Sequence, residues 1–76
     1  MSEIDLMLAL HAETTRAVLV SDTGEEARAL WLPLSLVDIR RTGKSTAGTR
    51  KDGQAVNLPI VEASLPEWLA IKRGLA

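Results

Sequence analysis

Hydrophobic residues occupy every second position near the start of the chain. The positions concerned are Ile4, Leu6, Leu8 and Leu10. A period of two places alternate side chains on one face of a β-strand. We therefore predict a strand over residues 3–11, with a helix over residues 3–13 as the alternative.

Two further apolar runs predict an antiparallel hairpin. Residues 16–21 carry β-branched side chains at their centre, and residues 27–32 form the second run. The intervening Asp22-Thr23-Gly24 segment has turn-forming residues. Pro33 has no N–H to donate and ends the third strand. Residues 34–39 then predict a tight turn followed by a fourth strand.

The segment after these strands lacks any large apolar side chain. Residues 40–51 are rich in Gly, Ser and Thr and have nothing to bury, so we predict an exposed, flexible basic hairpin loop over residues 42–52. Asp52-Gly53 is a turn dipeptide, and residues 54–61 predict the last strand. Pro59 indicates an edge or a bulge there.

The C-terminal residues predict one short helix from Pro66 to Arg73. Ser64 and Glu67 have the spacing of a capping box, and Pro66 falls in the first turn, where its missing N–H costs little. Gly74 can adopt the left-handed conformation that ends a helix. The side chains expected to face the sheet are Leu65, Trp68, Leu69 and either Ala70 or Ile71.

These elements predict a mostly β fold of the α+β class. Four or five short antiparallel strands and one C-terminal helix make a small bent sheet, or a partly open barrel resembling SH3 or OB folds. The chain has 76 residues, which is the size of a single small domain spanning residues 1–76. A domain of this size buries about 60% of its unfolded surface. It leaves no room for a deep substrate cavity, so we predict no small-molecule substrate.

Composition excludes the usual supports of very small domains. The chain has no cysteine and one histidine, so neither disulfides nor a zinc site is expected, and no cofactor or metal is predicted. The first residues include Glu3 and Asp5, unlike a secretory signal, and the longest apolar run there covers residues 6–10. About 20 apolar residues are needed to span a bilayer, so we predict a cytoplasmic protein without membrane contact.

Charge is segregated along the chain although the formal net charge is only −1. Residues 1–39 carry seven acids and two bases, whereas residues 40–51 carry five bases and no acid. This basic segment is the candidate contact region for a macromolecule, because cations on a long hairpin can follow a phosphate backbone. Its residues are Arg40, Arg41, Lys44, Arg50 and Lys51. The loop has no aromatic residue for base stacking and the sequence pI is about 5.7, so a solvated loop without a partner stays open.

Catalytic motifs are weakly represented. Gly43-Lys44-Ser45 resembles the end of a phosphate-binding P-loop, but Asp38 stands where that motif requires its first glycine. His11 and Glu13 could share one side of a strand, yet the chain offers no second His or Cys to complete a metal or acid–base site. Ser35, Ser45 and Ser64 lack the context of a catalytic triad. We predict no enzymatic activity.

Two segments resemble a pattern of short bacteriophage and prophage proteins of unknown function. Residues 31–35 read W-L-P-L-S, and residues 65–75 read L-P-E-W-L-A-I-K-R-G-L. The resemblance covers residues 14–39 and 64–76 and implies a mobile-element setting rather than a mechanism. Its motif residues are Trp31, Pro33, Ser35, Pro66, Trp68 and Gly74. On physical grounds we expect both tryptophans, the only aromatic residues, to pack against the sheet.

The sequence as a whole predicts a non-enzymatic binding or accessory module that contacts a macromolecule. A protein partner is favoured over nucleic acid, because no aromatic surface is expected beside the basic loop. A nucleic-acid-binding module that uses residues 40–51 is one alternative. Self-association is the other. It could use sheet edges, the apolar part of the helix, or contact between the acidic face of residues 1–39 and the basic arm.

Overall fold

The computed structural model describes residues 2–75, which form one five-stranded antiparallel sheet and a short C-terminal helix. The elements are β1 (Glu3–Glu13), β2 (Ala17–Ser21), β3 (Leu30–Pro33), β4 (Asp38–Thr49), β5 (Ala55–Pro66) and α1 (Glu67–Lys72). The order across the sheet is β3-β2-β1-β5-β4. The predicted mostly β class, with a bent antiparallel sheet and one terminal helix, is confirmed. Within residues 2–75, no helix has the length and apolarity needed to cross a membrane.

The hydrophobic core lies between one face of the sheet and α1. The alternation predicted in β1 is confirmed, because Leu8 and Leu10 are buried while Ile4 and Leu6 pack against the buried cluster. Sequence neighbours on the same strands point away from this core. The other buried members are Val18, Val20, Leu32, Val37, Val61, Ala63, Leu65, Leu69 and Ala70.

Strand β1 is shared between two parts of the sheet. Its first half pairs with β5 as far as Ala9, which lies opposite Ile60. Its second half pairs with β2, and a register shift between Leu10 and Ala12 marks the change. The end of β1 therefore diverges from β5 and leaves a cleft between them. Pro59 lies just beyond the last β1 partner, where its missing N–H leaves no pairing unmet.

The loop between β2 and β3 lies against the outer edge of β4. The N–H of Thr49 donates to the carbonyl of Gly24 over 2.9 Å, and Glu25 forms a parallel bridge with Thr49. Gly48 allows this approach, because a Cβ there would collide with the Gly24 carbonyl oxygen and the Leu58 side chain. The sheet thus curls back on itself at this end.

Several predicted boundaries are wrong. Residues 26–28 form a 3-10 turn, so β3 is shorter than the predicted strand over residues 27–32. Residues 34–37 form the turn, and β4 begins at Asp38. The largest correction concerns residues 42–49, which were predicted to lie in a hairpin loop but belong to β4 and are mostly exposed. Pairing with β5 satisfies the backbone groups that face inward, and the connection shrinks to residues 50–54.

A β-bulge interrupts β4 between Arg41 and Ser45. Gly43 takes a left-handed conformation with φ of +79°. The Thr42 hydroxyl donates to the Ile60 carbonyl over 2.8 Å and accepts a hydrogen bond from the Lys44 N–H over 3.2 Å. A side chain thus replaces the backbone donor that the bulge displaces from the ladder.

The helix ends as predicted but begins differently. Gly74 has φ of +76°, and its N–H bonds to the Ile71 carbonyl while the Leu75 N–H bonds to the Ala70 carbonyl. These are the two bonds of a Schellman motif, which confirms the predicted helix stop. The capping box is wrong: Pro66 is the N-cap and no side chain caps the helix. Ser64 lies in β5.

Candidate functional site

The predicted basic residues do not form one cationic patch. Arg40 and Arg41 are consecutive on β4, so their side chains leave opposite faces of the sheet. Lys44 lies in the bulge, whereas Arg50 and Lys51 lie at the turn before β5. The five basic residues are close together in the sequence, but the fold places them on several different surfaces.

Arg40 is the centre of an acidic cluster on one face of the sheet. Its guanidinium donates to Glu62 over 2.7 Å and 3.0 Å and to Asp38 over 3.2 Å. It also donates to Ser64 over 2.9 Å, and the Ser64 hydroxyl in turn donates to Asp5. The hydrogen bond to Glu62, reinforced by the surrounding carboxylates, raises the pKa of Arg40. This guanidinium joins β1, β5 and β4 and is not a free cation.

Arg41 is also neutralised, because its guanidinium donates to Glu13 of β1 over 3.0 Å. Within residues 2–75, the side chains of Lys44, Arg50 and Lys51 make no ion pair. Of the five predicted contact residues, these three are the ones without an ion pair within residues 2–75.

The cleft between β1 and β5 gathers polar side chains from distant parts of the chain. It has a volume of about 360 Å³. Its polar lining comes from His11, Glu13, Glu26, Arg41, Arg50 and Asn57. Glu26 and Asn57 have no signal in the sequence, because they reach the cleft only through the curl of the sheet and the divergence of β1 from β5.

His11 is tied to a buried serine at the wall of this cleft. Nε2 of His11 lies 2.7 Å from Oγ of Ser21, which accepts the Gly24 N–H over 2.9 Å. In the tautomer with the proton on Nδ1, the Ser21 hydroxyl donates to Nε2 while it accepts from Gly24. Burial lowers the pKa of His11, and the charge of Glu26 partly opposes that shift. Burial therefore favours the neutral form of the imidazole.

The geometry of this pair is structural rather than nucleophilic. Ser21 is 1% exposed, so its hydroxyl faces the protein interior and not the cleft. Glu13, the neighbour expected to share a side with His11, is engaged with Arg41. Among the residues described, no three His, Cys, Asp or Glu side chains lie close enough together to hold a metal ion.

The tryptophans are the main correction to the predicted roles. Trp31 is 46% exposed and Trp68 is 45% exposed, so the expectation that both pack against the sheet is wrong. Strand alternation buries Leu32 on the core side and turns Trp31 to the other face. On α1, Leu69 and Ala70 are buried, which leaves Trp68 and Ile71 outside.

The remaining motif residues have local roles. Pro33 ends β3, as predicted. The turn after it closes through the Leu36 N–H and the Pro33 carbonyl, 3.1 Å apart, and within the described structure the Ser35 side chain makes no hydrogen bond. Of the motif residues, Trp31 and Trp68 are the ones with large apolar side chains that stay exposed.

Comparison with known proteins adds no family to this description. No protein-family model matches the chain, and neither a curated protein nor a solved structure shows significant similarity to it.

Proposed function

We propose that this protein is a non-enzymatic binding module that acts by contacting another protein. The observation that carries the proposal is the exposure of both tryptophans, 46% for Trp31 and 45% for Trp68, in a chain without Phe or Tyr. Tryptophan is among the residues most enriched at the centres of protein interfaces. A small domain gains stability by burying its aromatic residues, so leaving both partly outside supports a role in contact.

The helix presents the most compact apolar surface. Trp68 and Ile71 are three residues apart, which places them side by side on one helix face. Ile71 is 59% exposed, and the opposite side of α1 buries Leu69 and Ala70. We call Trp68 and Ile71 the helix face. The Schellman stop at Gly74 fixes the end of this helix, so the face is held in one orientation.

The proposal is tested with a variant that removes the helix face and leaves the core intact. The double substitution Trp68→Ser and Ile71→Ser is compared with wild type and with Met7→Ser, which removes an exposed hydrophobic residue on β1. Each protein is immobilised and exposed to a bacterial lysate. A protein retained by wild type and Met7→Ser is then purified and titrated by calorimetry.

We expect the double variant to weaken that binding by about 30-fold or more, since hot-spot residues cost about 2 kcal/mol or more when truncated. Circular dichroism confirms that each variant is folded. A purified partner that binds the double variant as tightly as wild type would overturn the assignment to the helix face. Wild-type protein that retains nothing specific would overturn the proposed function.

Nucleic-acid binding is the second candidate function. Two observations favour it: Lys44, Arg50 and Lys51 are free of ion pairs within the described residues, and the exposed tryptophans could stack on bases. The pairing of Arg40 and Arg41 with carboxylates counts against it. An oligonucleotide titration at several salt concentrations separates the two functions, because phosphate contacts make the affinity fall steeply as salt rises.

Self-association is the remaining alternative. The outer edge of β4 pairs with no other strand of the described chain, but its bulge and its basic side chains oppose pairing between two copies. Sedimentation velocity at high concentration tests it, and a strict monomer would exclude it.

The resemblance of residues 14–39 and 64–76 to short phage proteins supports a phage or prophage setting.

A further inference from the structure

The outer edge of β4 is an uncovered β-strand edge along most of its length. The strand has 12 residues and is last in the sheet. Within residues 2–75, the only pairing on its outer side is the bridge between Glu25 and Thr49. The other edge strand, β3, has four residues and ends in Pro33, which limits what can be added there. The accessible edge of the sheet is therefore residues 38–46 of β4.

Hydrogen bonds show which backbone groups of β4 face outward. The Arg50 N–H bonds to the Gln54 carbonyl, whereas the N–H of Thr49 points outward to Gly24. Antiparallel pairing alternates inward and outward groups, so Ser45 and Ala47 share the outward direction of Thr49. The Gly24 loop covers the carbonyl of Ala47, which leaves Ser45 uncovered beyond the bulge.

The same parity holds before the bulge. The Ile60 carbonyl faces β4, because it accepts the Thr42 hydroxyl. The alternate residues Glu62 and Ser64 then also face β4, and their partners Arg40 and Asp38 bond inward. Ile39 and Arg41 consequently direct their N–H and C=O groups to solvent. These groups can pair with an added strand, as in β-augmentation.

A cavity at the bulge adjoins this edge. It has a volume of about 360 Å³, and its polar lining consists of Arg41, Lys44, Ser45 and Asn57, with no acidic side chain. Lys44 makes no ion pair within the described chain. The Arg41 side chain is 59% exposed, and an exposed ion pair contributes about 0–1 kcal/mol, so its bond to Glu13 can be exchanged for another carboxylate at little cost. The cavity is suited to an anionic side chain.

Charge selects the kind of strand that can pair here. Arg40 is already paired with Asp38 and Glu62, so the positive charges that residues 38–46 offer a partner are Lys44 and the exchangeable Arg41. Two copies of this edge side by side would bring like charges together, which is destabilising. The bulge also prevents long continuous pairing between copies. A short acidic strand avoids both the like-charge repulsion and the need for long continuous pairing, and its carboxylates are attracted to the basic side chains of β4.

We propose that the outer edge of β4 binds an extended acidic peptide segment of a partner protein, with one carboxylate in the bulge cavity beside Arg41 and Lys44. The segment pairs through the backbone groups of Ile39, Arg41 and Ser45. None of these residues belongs to the helix face, so this interaction can hold whether or not the helix face binds a partner.

The test uses the full 76-residue chain and three synthetic peptides of equal length. They are an alternating Val-Glu peptide, its Val-Gln counterpart, and the Val-Glu peptide N-methylated at alternate residues. Nuclear magnetic resonance titration of the ¹⁵N-labelled protein follows the amides of residues 38–46. We expect the Val-Glu peptide to shift the amides of Ile39, Arg41 and Ser45 selectively.

We expect the Val-Gln peptide and the protein variant Lys44→Gln each to weaken binding by about fivefold, the effect of one exposed charge pair. Lys72→Gln removes the same charge from α1 and should leave the affinity unchanged. N-methylation should abolish binding, because it blocks the peptide's backbone donors. Equal binding of the N-methylated peptide would overturn strand addition, and equal binding of Val-Gln would overturn the acidic preference. An oligonucleotide of equal charge that bound as tightly would show that this edge recognises polyanions in general and would overturn a peptide partner.

Discussion

The Ser21 hydroxyl joins three parts of the chain through two hydrogen bonds. It lies 2.7 Å from Nε2 of His11 in β1 and 2.9 Å from the backbone nitrogen of Gly24 in the next loop. Gly24 in turn accepts the N–H of Thr49 at the end of β4. Protonation of His11 is therefore expected to affect the contact between the Gly24 loop and Thr49 at the outer edge of β4.

Protonation of His11 should destabilise the fold. Burial lowers the pKa of His11 below the value near 6.5 that the unfolded chain has. The unfolded chain therefore takes up the proton first, so the stability contributed by neutral His11 is complete above pH 6.5 and is lost as pH falls through the lowered pKa. The charged groups around it are Glu26, which opposes the shift, and Glu13, Arg41 and Arg50, which line the same cleft.

Urea unfolding followed by tryptophan fluorescence between pH 7.5 and pH 5 measures this dependence. We expect the wild-type free energy of unfolding to fall with pH over this range. His11→Gln keeps an acceptor for Ser21 but does not titrate, and its curve should be flatter. Parallel curves for the two proteins would contradict the role given to His11.

Thr42 offers a second test at the scale of one residue. Thr42→Val keeps the shape but removes the donor to the partly buried Ile60 carbonyl. We expect a loss of about 1–2 kcal/mol in the free energy of unfolding, the cost of leaving an acceptor unsatisfied. Thr49→Val is the matched control, since within residues 2–75 the Thr49 hydroxyl makes no hydrogen bond. A loss of equal size in the control would show that the bulge bond adds nothing.

The sequence predicts the end of a helix or strand correctly where that end depends on the backbone of a single residue. Gly74 ends the helix and Pro33 ends β3, because a left-handed φ and a missing N–H act without distant partners. Ser64 shows the limit of such reasoning. Its spacing from Glu67 predicts a helix cap, but its hydroxyl instead hydrogen-bonds to Asp5 of β1 and Arg40 of β4.

At the scale of elements, the second half of β4 is a strand imposed by its neighbour. Its residues are small or polar and include no large apolar side chain, so their sequence predicts a loop even though threonine favours strands. Pairing with residues 55–59 of β5 and contact with the Gly24 loop order them instead. Tertiary pairing overrides weak local preference, and no period in the sequence could indicate it.

Gly48 is the residue on which this packing of elements depends. In Gly48→Ala the added Cβ would meet Leu58 and the carbonyl of Gly24, so either the loop or β4 must move. We expect a loss of about 1–3 kcal/mol, typical of overpacking, measured by thermal unfolding. Ser45→Ala, at an exposed position on the same strand, should change stability by less than about 0.5 kcal/mol. An unchanged Gly48→Ala protein would mean that the loop does not lie on β4.

Across the whole molecule, ion pairs between the acidic and basic segments neutralise part of the charge segregation seen in the sequence. Arg40 and Arg41 of the basic segment meet Asp5 and Glu13 of the acidic half, because the topology places β4 and β1 on either side of β5. Two of the five cations that were predicted to contact a macromolecule thus pair with carboxylates of the same chain. Sequence indicates that the two charge blocks exist, but only strand order shows which charges stay free.

One core ties the sheet to the helix, and Leu69 and Ile71 on α1 allow its role in folding to be tested separately from its role in contact. Leu69 is 4% exposed within the core, whereas Ile71 is 59% exposed. Leu69→Ala should cost about 2–5 kcal/mol. That is a large share of the roughly 4–11 kcal/mol expected for a domain of this size. Ile71→Ala should cost less than about 1 kcal/mol. Chemical denaturation of both variants decides the matter: equal losses would place Ile71 in the core and remove it from the helix face, whereas the expected difference leaves that face free to bind.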